Sequence, residues 1–212
     1  MTASIRLVWD FGGVLFNWNP PDLLRRELPQ RAGGADDFAH WVGTIFQGYG
    51  GDWGEFDRGT LSVPALVQRI ATRTGLSAQE VQAVVDGVPR ELQPKPDSVA
   101  LLRQLRDAGH AQFFLSNMPA PYADHLEAEH DFIGWFADGV FSARVKAIKP
   151  EREIFDIAAR RFGVPPAELL FFDDHPPNVD AARAAGWQAE VFTTADHAAE
   201  LLRQRGLLPD QR

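Results

Sequence analysis

Ile5-Arg6-Leu7-Val8-Trp9-Asp10-Phe11-Gly12-Gly13-Val14-Leu15 is the stretch whose reading decides the fold. A short apolar run ends at a carboxylate and passes at once into a glycine pair. Ile5, Leu7 and Trp9 alternate with Arg6 and Val8, and the flanking bulk suits a mostly buried strand. Asp10 then stands at the strand's C-terminal end, where open α/β sheets place their ligands. Gly12 and Gly13 let the backbone turn sharply and approach a ligand closely. Taken alone, an Asp after a strand is also a common turn cap, so the later segments carry the argument.

From Pro94 onward strand and helix alternate. Asp97 or Ser98 is expected to cap a helix carrying Val99, Leu102 and Leu105. Ala111 to Leu115 reads as a strand that delivers Ser116-Asn117. A short strand follows near Gly139-Val140-Phe141, and Lys149-Pro150 opens the next helix. Leu169-Leu170-Phe171-Phe172 is an unbroken apolar strand ending in Asp173-Asp174. Asn178 to Ala185 is a short helix, Ala189 to Phe192 a last strand and Thr194 to Arg205 a last helix. Connections of this length suit right-handed crossovers, so the expected class is α/β with a doubly wound, mainly parallel sheet.

Between the first strand and Pro89 no convincing strand intervenes, and the region reads as a helical insertion. Phe38, Trp41, Val42 and Ile45 share one helix face, and Ser77-Ala78-Gln79-Glu80 has capping-box spacing. The segment from Gln47 to Phe56, rich in glycine and aromatics, is expected to be a loop. Trp18, Tyr49, Trp53, Phe56 and Arg58 are candidates to line a substrate pocket, with cap core (for Arg58, a surface ion pair) as the alternative.

The chain has 212 residues, 45% of them hydrophobic, a formal net charge of -8 and no cysteine. That suffices for one domain with a smaller insertion. It excludes disulfides, zinc-thiolate sites and a Cys nucleophile. The negative charge argues against nucleic acid or an anionic membrane as main partner. Met1-Thr2-Ala3-Ser4 leads straight into the strand with no signal peptide, so a cytoplasmic location is expected.

A parallel sheet brings the ends of its strands to one edge, so Asp10, Ser116-Asn117, Lys149 and Asp173-Asp174 converge although distant in sequence. Lys146 competes with Lys149, but the Lys-Pro step favours Lys149. Three carboxylates in one cleft repel one another, and a divalent cation removes the conflict. Hard oxygen ligands and a phosphate point to Mg²⁺. Mg²⁺ with Lys149 supplies the positive charge that an acidic chain needs for an anionic, phosphorylated small molecule. A carboxylate nucleophile then gives an aspartyl-phosphate that water hydrolyses.

The set Asp10-Phe11-Gly12-Gly13-Val14, Ser116-Asn117, Lys149-Pro150 and Asp173-Asp174 with Asn178 resembles the four motifs of the haloacid dehalogenase-like (HAD) hydrolase superfamily. It is most similar to the phosphatase branch related to α-D-glucose-1-phosphate phosphatase and the N-terminal phosphatase domain of soluble epoxide hydrolase. The resemblance implies a Rossmann-like core domain over 1–16 and 90–212 and a small all-helical cap over 17–89. It makes Asp10 the nucleophile and a metal ligand, Gly12 a carbonyl ligand beside the phosphate, and Ser116 and Asn117 phosphate binders. Lys149 steadies nucleophile and phosphate, Asp174 is a direct metal ligand, and Asp173 lies behind it. Asn178 caps its helix or orients an Asp. Most phosphatases of the superfamily carry a second Asp, a general acid and base, where this chain has Gly12. His175 is a candidate replacement. The expected function is a Mg²⁺-dependent phosphatase for a small, sugar-like phosphomonoester. The alternatives are a haloacid dehalogenase or a non-catalytic binding protein on the same fold; a mutase is disfavoured by Gly12.

Overall fold

The computed structural model describes residues 5–31 and 35–209; the lead-in Met1-Thr2-Ala3-Ser4 lies outside them. Five strands form one parallel sheet: β1 (Arg6–Trp9), β2 (Gln112–Ser116), β3 (Asp138–Phe141), β4 (Leu169–Asp173) and β5 (Gln188–Val191). Their spatial order is β3-β2-β1-β4-β5. Val8 sits beside Phe113 on one side and Phe171 on the other. The chain winds outward from β1 to β3, then returns to start β4 on the far side of β1. The switch point therefore lies between the C-terminal ends of β1 and β4, where such sheets bind ligands.

Five helices separate β1 from the core's next helix: α1 (Pro20–Glu27), α2 (Ala35–Phe46), α3 (Gly51–Asp57), α4 (Val63–Thr74) and α5 (Ala78–Glu91). The rest alternate with strands: α6 (Pro96–Asp107), α7 (Ala120–Glu129), α8 (Ser142–Val145), α9 (Arg152–Phe162), α10 (Pro176–Ala184) and α11 (Ala195–Gln204). Both faces of the sheet are covered. Leu7, Trp9, Phe114, Leu170 and Phe172 pack with Leu102 and Leu105 of α6, Leu202 of α11 and the inserted helices. Val8, Phe113, Leu115, Leu169 and Phe171 pack instead with Ile154, Phe155 and Ala158 of α9 and Val179 and Ala182 of α10. Strands buried on both faces read as continuous apolar runs, as in Leu169 to Phe172. Among the described residues no helix is long and apolar enough to cross a membrane.

The capping box at Ser77 forms: its hydroxyl accepts from Glu80 N, and Glu80 accepts from Ser77 N at 2.8 Å. Several boundaries differ from expectation. Gln47 to Phe56 is not a loop but a 3-10 turn (Gln47–Tyr49) running into α3. Burial of Trp53 and Phe56 and the bond from Asp52 N to the Gln47 side chain at 3.1 Å offset the low helix propensity of its glycines. Neither Asp97 nor Ser98 caps α6, whose N-cap is Lys95 with proline following. Ser98 is spent elsewhere, donating to Val14 O at 2.7 Å. Lys149-Pro150 stands ahead of α9, whose N-cap is Glu151. α10 starts at Pro176 rather than Asn178.

Candidate active site

The backbone of Asp10 continues the β1–β4 ladder, its N–H donating to Phe172 O at 3.0 Å. That contact fixes the residue at the switch point. The chain then folds back so that Phe11 O accepts from the N–H groups of Val14, Leu15 and Phe16. Gly13 takes a positive φ of 74°, and a Cβ there would overlap the carboxylate of Asp174. Only glycine permits both the turn and the approach of β1's loop to β4's carboxylate. Gly12 differs: a Cβ there would meet Trp18 Cβ at 3.6 Å, ordinary contact.

Lys149, 3% exposed, commits all three ammonium protons. Its Nζ lies 2.6 Å from Asp173 Oδ2 and 2.9 Å from Asp10 Oδ1, and donates to Leu115 O at 3.1 Å. Burial works to lower its pKa, but Asp10 and Asp173 outweigh burial and hold it above the usual lysine value. Asn117 clasps the Lys149 backbone in both directions, donating to its carbonyl at 2.9 Å and accepting from its N–H at 2.8 Å. Asp173 is fully buried. Its carboxylate accepts from Lys149, from His175 N at 2.8 Å, and from Asn178 Nδ2 at 3.1 and 3.0 Å. Asn178 thus orients Asp173 and does not cap α10. Lys146 lies elsewhere, donating to Gly59 O at 2.5 Å.

These groups border a cavity of about 380 Å³. Asp10, Gly12, Ser116, Asn117, Lys149 and Asp174 line it, whereas Asp173 stays behind Lys149. Asp10 is 8% exposed. Burial, Asp173 and Asp174 push its carboxyl up to about 7 against the opposing pull of Lys149. Burial and Asp173 likewise raise Asp174. Oxygens of Asp10, Asp173 and Asp174 all lie within 4.8 Å of one another. Lys149 is the only lysine or arginine among the described lining residues, and it faces three carboxylates. Hydrogen bonds engage both oxygens of Asp173, whereas Asp174 accepts from its own backbone N–H and Asp10 Oδ2 has no hydrogen-bond partner among the described residues. Unneutralised oxygens of this kind fit a hard divalent cation.

The inserted segment and the core share the remaining wall. Trp18, Tyr49 and Trp53 line the cavity with Leu92, Tyr122 and Ile148. Trp18 Nε1 donates to Tyr49 Oη at 2.8 Å, and the Tyr49 ring meets His175 edge-on at 6.3 Å between centroids. Two pocket candidates do not line it. Phe56 is buried between Trp53 and Tyr122, and Arg58 pairs with Glu151. Sequence reasoning missed Asp57, which lines the cavity at 4% exposure. Burial pushes its carboxyl up to about 8, with Lys149 pulling it down and Asp10 pushing it up. The available signal was spacing: Asp57 follows Trp53 by four residues and shares its helix face.

A doubly wound parallel sheet thus holds a lysine-clamped carboxylate at its switch point, where such sheets bind ligands. The chain belongs to the haloacid dehalogenase-like hydrolase family, whose profile matches residues 7–186. It is 29% identical over 180 residues to the sesquiterpene phosphatase astK of Aspergillus oryzae, covering 84% of this chain and 85% of that protein. A haloacid dehalogenase family enzyme of Bacteroides thetaiotaomicron has the same fold, with a TM-score of 0.74 at 19% identity over 95% of this chain and all of that one. In complex with magnesium and inorganic phosphate, that enzyme superposes with a TM-score of 0.69 at 21% identity, over 90% of this chain and 94% of that one.

Proposed function

We propose that this hydrolase is a Mg²⁺-dependent phosphomonoesterase working through an aspartyl-phosphate on Asp10. The observation that carries the reading is the asymmetric use of the Asp10 carboxylate. Oδ1 is held by Lys149 at 2.9 Å and by Phe11 N at 2.7 Å, while Oδ2 is left for attack within the cavity. Lys149 orients the nucleophile and favours its ionised form against the burial that pushes its carboxyl up. Ser116, at the end of β2, offers a hydroxyl donor to a phosphoryl oxygen. Asn117, also placed as a phosphate binder, uses its side-chain amide to fix Lys149. Asp10, Asp174 and the carbonyl of Gly12 would hold the cation, and Asp173 would support it from behind through Lys149. Bound there, Mg²⁺ supplies the charge that offsets the phosphoryl oxygens. The double carboxylate favours this reading over a metal-independent dehalogenase.

Residues 17–89 act in this reading as a cap over a core of 1–16 and 90–212. The cavity's aromatic and aliphatic wall, built from both cap and core, supports an alcohol with substantial apolar surface over a sugar, whose hydroxyls would find few free partners there. The sesquiterpene phosphatase among its relatives points the same way. The test is phosphate release from prenyl, alkyl, sugar and p-nitrophenyl phosphates, with Mg²⁺ or with chelator. Metal-dependent turnover that Asp10→Asn abolishes supports the reading. Absence of turnover on every ester, with Mg²⁺ still bound, would overturn it in favour of a binding protein.

A further inference from the structure

Expelling an alcohol from phosphorus requires a proton for the departing oxygen, and the cavity offers few groups free to give one. Lys149 commits its three protons to Leu115 O, Asp10 and Asp173. Tyr122 donates its hydroxyl to Val85 O at 2.9 Å. Tyr49 keeps its proton more tightly than a free phenol, chiefly through burial. His175 is exposed and packs edge-on against Tyr49. Asp57 alone combines burial, a place on the cavity wall and an uncommitted carboxyl: its side chain makes no hydrogen bond or ion pair with any described residue.

The backbone around Asp57 is held with care. Asp57 O accepts from Ser142 Oγ at 2.5 Å, and the same hydroxyl accepts from Met118 N at 2.8 Å. Gly59, at φ 73°, lies so close to the start of α8 that a Cβ would sit 2.7 Å from Ala143 O. Lys146 binds Gly59 O, and Arg58 pairs with Glu151. These contacts fasten the end of α3 to the edge of the sheet that carries Ser116 and Lys149. They hold the carboxyl of Asp57 in place without touching it.

Resting on the phosphatase reading above, we infer that Asp57 is the general acid and base of the reaction, brought to the site by the inserted helices. Asp10 Oδ2 attacks phosphorus, the bond from phosphorus to the alcohol oxygen breaks, and that oxygen takes the bond's electron pair and the proton of Asp57. The products are an aspartyl-phosphate, a free alcohol and an ionised Asp57. Water then attacks the phosphorus and gives its proton to Asp57. The bond to Asp10 breaks, releasing inorganic phosphate and restoring both side chains. A buried acid that holds its proton to about pH 8 is loaded at neutral pH. The charged and titratable groups facing it are Asp10 at the end of β1, Lys149 ahead of α9, Tyr49 ahead of α3 and Tyr122 on α7.

The test compares leaving groups. A p-nitrophenolate departs without a proton, whereas an alkoxide does not, so general acid loss discriminates between the two esters. Asp57→Asn is expected to lower kcat/KM for an alkyl phosphate by about 10²- to 10⁴-fold more than for p-nitrophenyl phosphate, with Asp57→Glu recovering part of the difference. The wild-type alkyl phosphate profile should fall on the alkaline side as Asp57 ionises, and the p-nitrophenyl profile should lack that limb. Equal losses on both esters, or alkaline limbs alike on both, would overturn the inference while leaving the phosphatase reading intact. If Asp57→Asn fails to fold, the two wild-type profiles decide alone. A wild-type enzyme that hydrolyses neither ester counts against the phosphatase reading first.

Discussion

Lys149 lies closer to Asp173 than to Asp10, 2.6 Å against 2.9 Å, and Asp173 is the more deeply buried of the two. The lysine is therefore anchored from behind and presented to the nucleophile from a fixed position. Asp173→Ala leaves the ammonium buried with one carboxylate and one carbonyl. The expected cost is about 3–5 kcal/mol, as for breaking a buried pair by removing one partner. Urea denaturation at pH 7 would check it; an unchanged midpoint would show that Asp10 alone suffices to hold Lys149.

The two adjacent glycines should respond differently to alanine. At Gly13 the positive φ and the overlap with Asp174 mean that alanine must push that carboxylate aside. A drop in Mg²⁺ affinity of tenfold or more, measured by calorimetry, is expected, with a backbone cost of about 1–2 kcal/mol. At Gly12 the space is open enough that alanine should leave metal affinity within about threefold. Equal effects at both positions would show that Asp174 does not take part in metal binding.

Asp57 should also leave a mark on stability. Its folded pKa is raised to about 8 from 3.8, chiefly by burial. The folded chain thus holds a proton that the unfolded chain releases, and stability falls as pH rises through that window. Asp57→Asn removes the liability. Thermal melts should show the variant gaining on wild type between pH 5 and pH 8, by up to about 1.4 kcal/mol per pH unit. A gap that stays constant with pH would mean that Asp57 is ionised throughout.

Glu80 works with the opposite sign. Arg31 first, and Ser77 N with it, hold its carboxyl well below the usual glutamate value. A depressed pKa contributes stability above the unfolded value of 4.5 and loses it as pH falls further. The pair is partly exposed, so solvent screening keeps the contribution to about 1 kcal/mol. Glu80→Gln should cost that much at pH 7 and little at pH 3, read from the urea midpoint at each pH.

The sheet was legible because strands buried on both faces write themselves as apolar runs, and each run here ends in a polar residue. Asp10, Ser116, Lys149 and Asp174 could be brought together on topology alone, since a parallel sheet leaves little choice. The role of Asn117 was not legible, because its amide reads as a phosphate donor until its bonds to Lys149 are seen. The helix ends around Lys95 and Pro176 slipped because proline at the first turn outweighed the more obvious capping side chains. Asp57 escaped because Asp57-Arg58-Gly59 reads as a turn leading into the next helix. Its importance depends on the docking of α3 against Ser142, a contact 85 residues away in sequence.

The central claim is that Asp10 carries the phosphoryl group. Acid quench during turnover of a radiolabelled phosphomonoester, followed by peptide mapping, tests it most directly. The label should appear on the peptide spanning residues 5–15, only when Mg²⁺ is present, and vanish in Asp10→Asn together with turnover. Phosphate release that survives Asp10→Asn would contradict it, because water would then be attacking phosphorus with no covalent intermediate on that carboxylate.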